Sequence, residues 1–258
     1  LIDNGDIEYF DGDIRYKDVV DKAMDNIDFV FHLAATNINR SQVHVEESFD
    51  VNLNGSRVVF QSALENKVKK VIFSSSASVY GEPKILPMPE ESPLNPITPY
   101  CVSKLASEYL LKFLQRSGLN YIALRYFNVY GLRQHTDAYY TSVILLFIKR
   151  IMENQPPKID GKGNQTMDFI NVKDIVRANI LSMESKINNQ IFNIGSGSST
   201  SIRDLANMLI KIIGKDIEPI FSDREVIVTQ RMADTSKAKK LLNFETKFSV
   251  EDGIKEVV

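Results

Sequence analysis

Short apolar runs alternate along the chain with longer segments in which apolar residues recur every three or four positions. The short runs predict strands at residues 7–10, 28–34, 70–75, 120–126, 168–172 and 190–194. The longer segments predict helices at residues 16–26, 45–66, 98–117, 141–153, 172–186 and 202–214. Strands separated by helices are typical of βαβ units, and continuously apolar strands are typical of a parallel sheet buried on both faces. The pattern therefore predicts an α/β fold.

The predicted helix at residues 98–117 carries a tyrosine and a lysine on one face. Proline is favoured in the first turn of a helix, so Pro99 places the helix start next to Tyr100. Lys104 lies four residues further on, where an ammonium can stabilise a phenolate and lower its pKa from about 10. Ser76, just after the predicted strand 70–75, adds a hydroxyl that can hold or relay a proton. The three residues predict proton chemistry on a sugar hydroxyl, although the Tyr–Lys spacing alone is common on ordinary surface helices.

Two further segments flank this helix in the sequence, FSSSASVYG at residues 73–81 and LRYFNVYG at residues 124–131. Together with the YCVSK segment at residues 100–104, they resemble the extended short-chain dehydrogenase/reductase family, and within it the nucleotide-sugar epimerases of the UDP-glucose 4-epimerase type. The resemblance extends from about residue 12 to residue 255. It implies a Rossmann-type doubly wound parallel sheet in an NAD-binding domain (residues 1–128 and about 168–186) and a smaller substrate-binding domain (residues 129–258).

The glycine-rich loop that follows the first strand of such a sheet does not occur in the sequence. The chain begins at Leu1 rather than at a methionine, and its first predicted strand, residues 7–10, resembles the third strand of the family. We therefore expect a longer protein, in which about 30 residues or more precede Leu1. We also expect a gap in the sheet of this chain and no activity of the fragment alone. A natural chain that lost its cofactor site is the less favoured alternative.

The resemblance implies NAD as the cofactor. Asp13 would contact the adenine amine, Ile14 would pack on the adenine ring, and Phe127 would lie near the nicotinamide. The implied cofactor-binding residues are Asp13, Ile14, Leu33, Ala34, Ala35, Ser74, Tyr100, Lys104 and Phe127. Taken alone, Asp13 is better explained as a helix-capping or turn aspartate, and His32 is better explained as a packed core residue than as a general base.

The implied substrate is a nucleotide-diphosphate sugar, with UDP as the default nucleotide. Ser76, Asn128, Arg224 and Arg231 are the implied contacts, and arginine suits a diphosphate because its guanidinium forms bidentate hydrogen bonds. Met167 is a departure, because many members of the family carry an arginine at this position. Another arginine as clamp, Arg133 or Arg231, or a different substrate would account for it.

The residues that follow Ser76 favour one reaction of the family. Dehydratases and decarboxylases carry acidic residues there, whereas this chain has Ala77 and Ser78. The resemblance therefore implies epimerisation at C4 through transient oxidation, with Ser76, Tyr100 and Lys104 as the catalytic residues. The alternatives are a nucleotide-sugar oxidoreductase, reductase or dehydratase, and a non-catalytic nucleotide-sugar-binding protein.

Composition narrows the possible partners and location. The 258 residues carry a net charge of −2, which gives no sign of binding to nucleic acid or to an anionic membrane. No metal site is predicted, and no apolar run approaches the roughly 20 residues of a membrane span. Cys101 is the single cysteine, so no internal disulfide can form and a cytoplasmic location is expected. The resemblance also implies a homodimer through the helices at residues 45–66 and 98–117, whose apolar positions core packing explains equally well.

Overall fold

The computed structural model describes residues 7–134, 142–223 and 229–258. Its strands are β1 Phe29–His32, β2 Lys70–Ser76, β3 Tyr121–Tyr126, β4 Asn128–Tyr130, β5 Lys158–Asp160, β6 Thr166–Met167, β7 Phe169–Asn171, β8 Gln190–Ile194, β9 Thr200–Ser201 and β10 Ile220–Ser222. Its helices are α1 Lys17–Ala23, α2 Ile38–Val43, α3 Val45–Phe49, α4 Ser56–Glu65, α5 Pro99–Leu114, α6 Val143–Met152, α7 Val172–Glu184, α8 Ile202–Ile213, α9 Ser236–Leu242 and α10 Val250–Lys255.

The main sheet is parallel throughout and has the strand order β1-β2-β3-β8. Because side chains alternate along a strand, β2 contributes to two separate cores. Val71 and Phe73 pack on one face with residues of α1, α4 and α5, whereas Ile72 packs on the other face with residues of α7 and α9. All three side chains are fully buried. Burial on both faces explains the continuous apolar run of this strand and confirms the predicted doubly wound α/β sheet.

The helix predictions agree with the structure in position, but one predicted helix is divided. Residues 45–66 form α3, a π-helical stretch at Asp50–Gly55 and α4. The predicted helix at 98–117 is α5 followed by a 3₁₀ turn at Gln115–Ser117. The short helices α2, α9 and α10 were not predicted, because six or seven residues are too few for a clear apolar period.

One strand prediction is wrong, and a second predicted strand is present but lies outside the main sheet. Residues 7–10 have no strand partner among the described residues, and the side chains of Ile7, Tyr9 and Phe10 are exposed. Such a segment becomes a strand only when a neighbour pairs with it, and in the predicted order that neighbour is the second strand, which has no counterpart in this sequence. Residues 168–172 were expected to provide the last strand of the main sheet, but β7 pairs with β4 instead, and β8 completes the main sheet.

The part of the chain after β3 builds a second apolar core outside the main sheet. Tyr130, Ile144, Phe147, Ile159 and Leu205 are among its buried members, and they come from β4, β5, α6 and α8. Three two-stranded pairings, β4-β7, β5-β10 and β6-β9, accompany it. The carboxyl ends of β2 and β3 face this region, and parallel sheets of this type bind their ligands at such ends.

Candidate active site

A cavity of about 360 Å³ opens at the carboxyl ends of β2 and β3. It brings together five residues that the sequence assigned to substrate or cofactor, which are Ser76, Tyr100, Phe127, Asn128 and Arg231. Its remaining lining residues are Asn37, Ile38, Ser75, Ser78, Tyr126, Val129 and Gln134. None of the described lining residues carries a carboxylate, so hydroxyls, amides and one guanidinium supply the polar groups of this cavity.

Tyr100 is fixed at the start of α5 by local sequence. Thr98 caps the helix by accepting a hydrogen bond from Cys101 N, and Pro99 occupies the first helical position. The backbone N–H of Tyr100 donates to Ser41 Oγ at 3.2 Å, which ties this turn to α2. The Lys104 ammonium lies 5.8 Å from the centre of the Tyr100 ring. The predicted pairing of a tyrosine and a lysine on one helix face is therefore present.

Lys104 is buried beneath the cavity. Its Nζ atom donates to Ser74 O at 2.7 Å and lies 4.9 Å from the centre of the Phe73 ring. Burial lowers the pKa of Lys104 to about 8, and the negative charge of Glu108 acts in the opposite direction. The lysine thus lies one turn below Tyr100, with its ammonium held against the end of β2.

Ser76 ends β2 and begins a 3₁₀ turn at Ala77–Tyr80. Its Oγ atom accepts from Ser78 N at 3.2 Å and shares a 2.8 Å hydrogen bond with Ser78 Oγ. The hydroxyl is therefore oriented by its own turn and faces the cavity beside Tyr100. Ser78 and the neighbouring Ser75 also line the cavity, and the sequence prediction missed both as site residues although they belong to the same serine-rich segment.

The predicted cofactor side surrounds a second cavity, of about 350 Å³, beside β1. Asp13 and Ile14 line it from the loop before α1, and Leu33 and Ala34 line it from the end of β1. Ala34 and the exposed Ala35 carry only a methyl group, which leaves room for a ligand to approach the backbone. Most of the other lining residues are apolar, and the cavity lies beside β1, where we expect the gap in the sheet.

Asp13 already has a partner in this arrangement. Its carboxylate accepts hydrogen bonds from the backbone N–H, Nε and Nη2 of Arg15. These hydrogen bonds from Arg15 lower the pKa of Asp13. A carboxylate has about four acceptor positions, so an adenine amine can still be accommodated.

Two other predicted cofactor residues, Ser74 and Phe127, are both buried. Ser74 Oγ donates to Tyr126 OH, and Phe127 packs with Tyr80 and Met88.

His32 and Cys101 are both buried and both have structural partners. His32 is buried between Phe60 and Phe73, with its Nε2 atom 2.8 Å from Ser56 Oγ. Burial, with a smaller effect of the Lys104 charge, lowers the pKa of His32 to about 3. Cys101 is buried, and its Sγ atom shares a hydrogen bond with Thr98 Oγ1. His32 is therefore a core residue, as the sequence predicts, and Cys101 supports the helix start.

Besides Ser76, two of the three other predicted substrate contacts line the cavity. Asn128 lines the cavity, and its side-chain amide donates to Asp168 O at 2.9 Å. Arg231 lines the same cavity, and burial lowers its pKa. Within the described ranges, the Nε atom of Arg231 is buried without a hydrogen-bond partner. Arg224 lies outside the described residues.

Arg231 is next to Met167 across a backbone pairing. Thr166 N donates to Thr229 O at 3.0 Å, and Arg231 N donates to Thr166 O at 2.8 Å, so Thr166 is matched with Gln230. Met167 and Arg231 each follow one residue later, and Met167 itself pairs with Thr200 of β9. The backbone of Arg231 therefore lies near the position at which an arginine was expected.

The fold and the cavity define a class of nucleotide-dependent enzymes in which a tyrosine and a lysine on one helix meet a serine at a strand end. The model of the NAD dependent epimerase/dehydratase family matches residues 2–195 of this chain. The chain belongs to this family.

Individual relatives have different activities. The UDP-glucose 4-epimerase of Thermotoga maritima, solved with UDP-glucose, is 35% identical with a TM-score of 0.90, over 95% of this chain and 81% of that one. The UDP-N-acetylglucosamine 4-epimerase of Methanobrevibacter ruminantium, in complex with UDP-N-acetylmuramic acid, is 36% identical with a TM-score of 0.88, over 92% and 77%. A UDP-N-acetyl-alpha-D-glucosaminuronate decarboxylase of Bacillus cytotoxicus is 31% identical over 98% of this chain and 83% of its own length.

None of the described helices is long and apolar enough to cross a membrane. No group of three or more histidine, cysteine, aspartate or glutamate side chains that could hold a metal ion occurs in the same parts of the chain.

Proposed function

We propose that the full-length protein interconverts the C4 epimers of a UDP-sugar with the help of bound NAD. The observation that carries this proposal is the single cavity that holds Ser76 and Tyr100 together with Asn128 and Arg231, above the buried Lys104. Two of the solved relatives are named as 4-epimerases of UDP-sugars, which supports the same reaction.

The residues of this chain supply the proton transfer. NAD would be held by Asp13, Ile14 and the small residues after β1, and it would supply a reversible acceptor for the hydride of C4. The Tyr100 hydroxyl, ionised beside the Lys104 ammonium, removes the proton from O4 and gives it back on the return step. The Ser76 hydroxyl, held by Ser78, hydrogen-bonds the same oxygen and keeps it at the tyrosine. For the hydride to return to the other face, the 4-keto sugar must rotate, so affinity has to come from the nucleotide diphosphate.

The diphosphate would be held by Asn128 and Arg231. A buried guanidinium with an unpartnered Nε needs an anion, and a diphosphate can accept two parallel hydrogen bonds from it. The backbone of Arg231 is hydrogen-bonded to Thr166, which directly precedes Met167, where many members of the family carry an arginine. The buried, unpartnered Nε favours Arg231 over Arg133 as the arginine that binds the diphosphate in place of the one expected at position 167. The contact of Arg224 with the diphosphate stays a prediction.

The absence of acidic residues next to Ser76 favours epimerisation over dehydration or decarboxylation. Ser78 occupies the cavity with a hydroxyl, and Ala77 is buried in the core beneath it. Removal of a proton from C5 requires a base in addition to Tyr100, and the described lining residues provide no carboxylate for it.

We also propose the predicted domain roles and a homodimer. The NAD-binding domain would consist of residues 1–128 and about 168–186, together with β8. The rest of residues 129–258 would bind the sugar nucleotide. Val102, Tyr109 and Phe113 are exposed and share one face of α5, which suits a contact between two copies. The single cysteine, Cys101, agrees with a cytoplasmic location. Light scattering of the purified protein would test the dimer.

The reaction is tested with the full-length protein, including whatever residues precede Leu1. It is incubated with UDP-glucose or UDP-N-acetylglucosamine and catalytic NAD⁺, and the sugars are resolved by NMR. The C4 epimer should appear with no net NADH. In a separate incubation with a keto-sugar and NADH, net consumption of NADH would instead identify a reductase. If neither UDP-sugar is converted although binding is retained, the protein acts on another substrate or is a binding protein.

A further inference from the structure

We propose that Glu108 and Arg125 are positioning residues for the reaction: they fix α5 against the end of β2, and Glu108 supplies the fixed negative charge that Lys104 faces. Neither residue lines the cavity that holds Tyr100. The role in turnover rests on the proposed function, whereas the effect on Lys104 can be measured without any substrate.

Glu108 repeats, one turn further along α5, the contact that Lys104 makes. Lys104 Nζ donates to the backbone carbonyl of Ser74, and Ser75 Oγ donates to Glu108 Oε1. Ser74 and Ser75 directly precede Ser76. Two successive turns of the helix that carries Tyr100 are therefore fastened to two successive residues of the strand that carries Ser76. These contacts fix the position of the tyrosine relative to the serine.

Arg125 holds the Glu108 carboxylate from the adjacent strand. Its Nε donates to Oε1 at 2.9 Å and its Nη2 donates to Oε2 at 2.7 Å, which is a bidentate ion pair. Both side chains are 3% exposed. The Nη1 atom donates to Tyr80 OH and to Glu90 O, and Tyr80 OH donates to Asn193 Oδ1. The network thus links α5 to β3, β8 and the loop that contains Glu90.

Stability alone does not explain an ion pair at this place. Apolar side chains of similar volume commonly stabilise a core as well as a buried ion pair does, because the pair must first be desolvated. What apolar residues cannot provide is a negative charge one turn away from a buried ammonium. Since Arg125 and Ser75 donate to Glu108, that charge is held in one orientation.

The surroundings of Lys104 make this charge effective. On α5, Glu108 lies one turn from Lys104, and the Tyr100 ring lies 5.8 Å from its ammonium. From β2 the Phe73 ring lies at 4.9 Å, and on β1 the nearby His32 has a pKa of about 3 and is neutral at higher pH. Arg125, on β3, reaches it only through Glu108. Burial favours loss of the lysine proton and Glu108 favours its retention. Glu108 therefore preserves the cation that stabilises the Tyr100 phenolate.

The test measures the ionisation of Lys104 directly in the full-length protein. Lysine is labelled with ¹³C, the Lys104 signal is assigned with Lys104→Met, and its pKa is followed by NMR without substrate. Glu108→Gln removes the negative charge and should lower this pKa by about one unit or more. Arg125→Met leaves Glu108 unneutralised and should raise it. The pH range over which the enzyme is active should be narrower in Glu108→Gln than in the wild-type protein. Its kcat should be lower, and its KM should change little.

The opposite signs of the two shifts separate positioning from loss of structure. A merely structural role would move the Lys104 pKa in the same direction in both variants, or in neither, and would overturn the proposal. Asp174→Asn is the matched control, because Asp174 is a buried carboxylate paired with Arg177 away from the cavity, and it should not shift Lys104.

Two further variants cover the remaining outcomes. If Arg125→Met does not fold, the double variant Glu108→Gln/Arg125→Met, which removes both charges, should give a Lys104 pKa above that of Glu108→Gln, and an equal or lower value would overturn the proposal. Ser75→Ala, which removes the hydrogen bond to Glu108 without a change of charge, should lower kcat and leave the Lys104 pKa in place. If the wild-type protein turns over no sugar while the shifts occur, the proposed reaction fails and the positioning of Lys104 stands.

Discussion

At the carboxyl ends of β2 and β3, charged groups are buried and matched to partners, whereas along β1 large apolar side chains are exposed and charges pair near the surface. Glu108 and Arg125 are 3% exposed, and Lys104 is equally buried. On the other side, Phe31 is 40% and Leu33 is 60% exposed. Burial on both sides encloses the charges at the ends of β2 and β3, whereas β1 is paired on one side only and lies where we expect the gap in the sheet.

The largest expected effect lies in the buried centre. Tyr100→Phe removes the group that we propose transfers the proton, so turnover of the UDP-sugar should fall by about 100-fold or more. Binding of UDP, measured by calorimetry, should be nearly unchanged, because the diphosphate contacts remain. Tyr109→Phe is the control, since Tyr109 is exposed on the same helix and should retain full activity. A Tyr100→Phe enzyme that epimerises at the wild-type rate would contradict the mechanism.

The next effect compares two cross-strand neighbours on one face of the sheet. Ile72 of β2 is fully buried, whereas its partner Phe31 of β1 is 40% exposed. Ile72→Ala should lower the free energy of unfolding by about 2–5 kcal/mol. Phe31→Ala should lower it by about 1 kcal/mol or less, although it removes the larger side chain. Urea unfolding of the 258-residue chain measures both, provided the m-values stay equal.

A large loss of unfolding free energy in Phe31→Ala would contradict this expectation. It would mean that the edge of β1 is covered in solution, by another segment or by a second copy. Repeating the Phe31→Ala measurement at several protein concentrations would then separate the two, because only contact between copies depends on concentration.

A smaller effect is the pH dependence of folding stability that His32 causes. His32 lies at the end of β1, between the two regions. Its pKa is lowered from 6.5 to about 3 in the folded protein by burial, so the unfolded chain takes up a proton first as the pH falls. Stability is therefore greatest above pH 6.5 and decreases as the pH falls towards 3. Between pH 7 and pH 5 this loss is about 2 kcal/mol. His32→Gln should be less sensitive to acid by that amount, and an unchanged pH slope would show that His32 is solvated.

Local spacing explains which parts of the site could be predicted. Tyr100 and Lys104 share a helix face because they are four residues apart, and Thr98 and Pro99 determine where that helix starts. Glu108 continues the same spacing, so it could have been identified as a neighbour of Lys104. Its partner Arg125 is 17 residues away in sequence and is matched to Ser75 only through the register of β2 and β3.

The amino-acid sequence by itself determined the buried parallel strands, the helix with Tyr100 and Lys104, and the serine at the end of β2. These features depend on residues within a few positions of one another, because apolar period and helix capping are local properties. Tertiary contacts alone place β8 rather than β7 in the main sheet, bring the backbone of Arg231 to Thr166, and pair Glu108 with Arg125. Strand pairing and the burial of a charge depend on segments far apart in the chain, and no local pattern records which of them will meet.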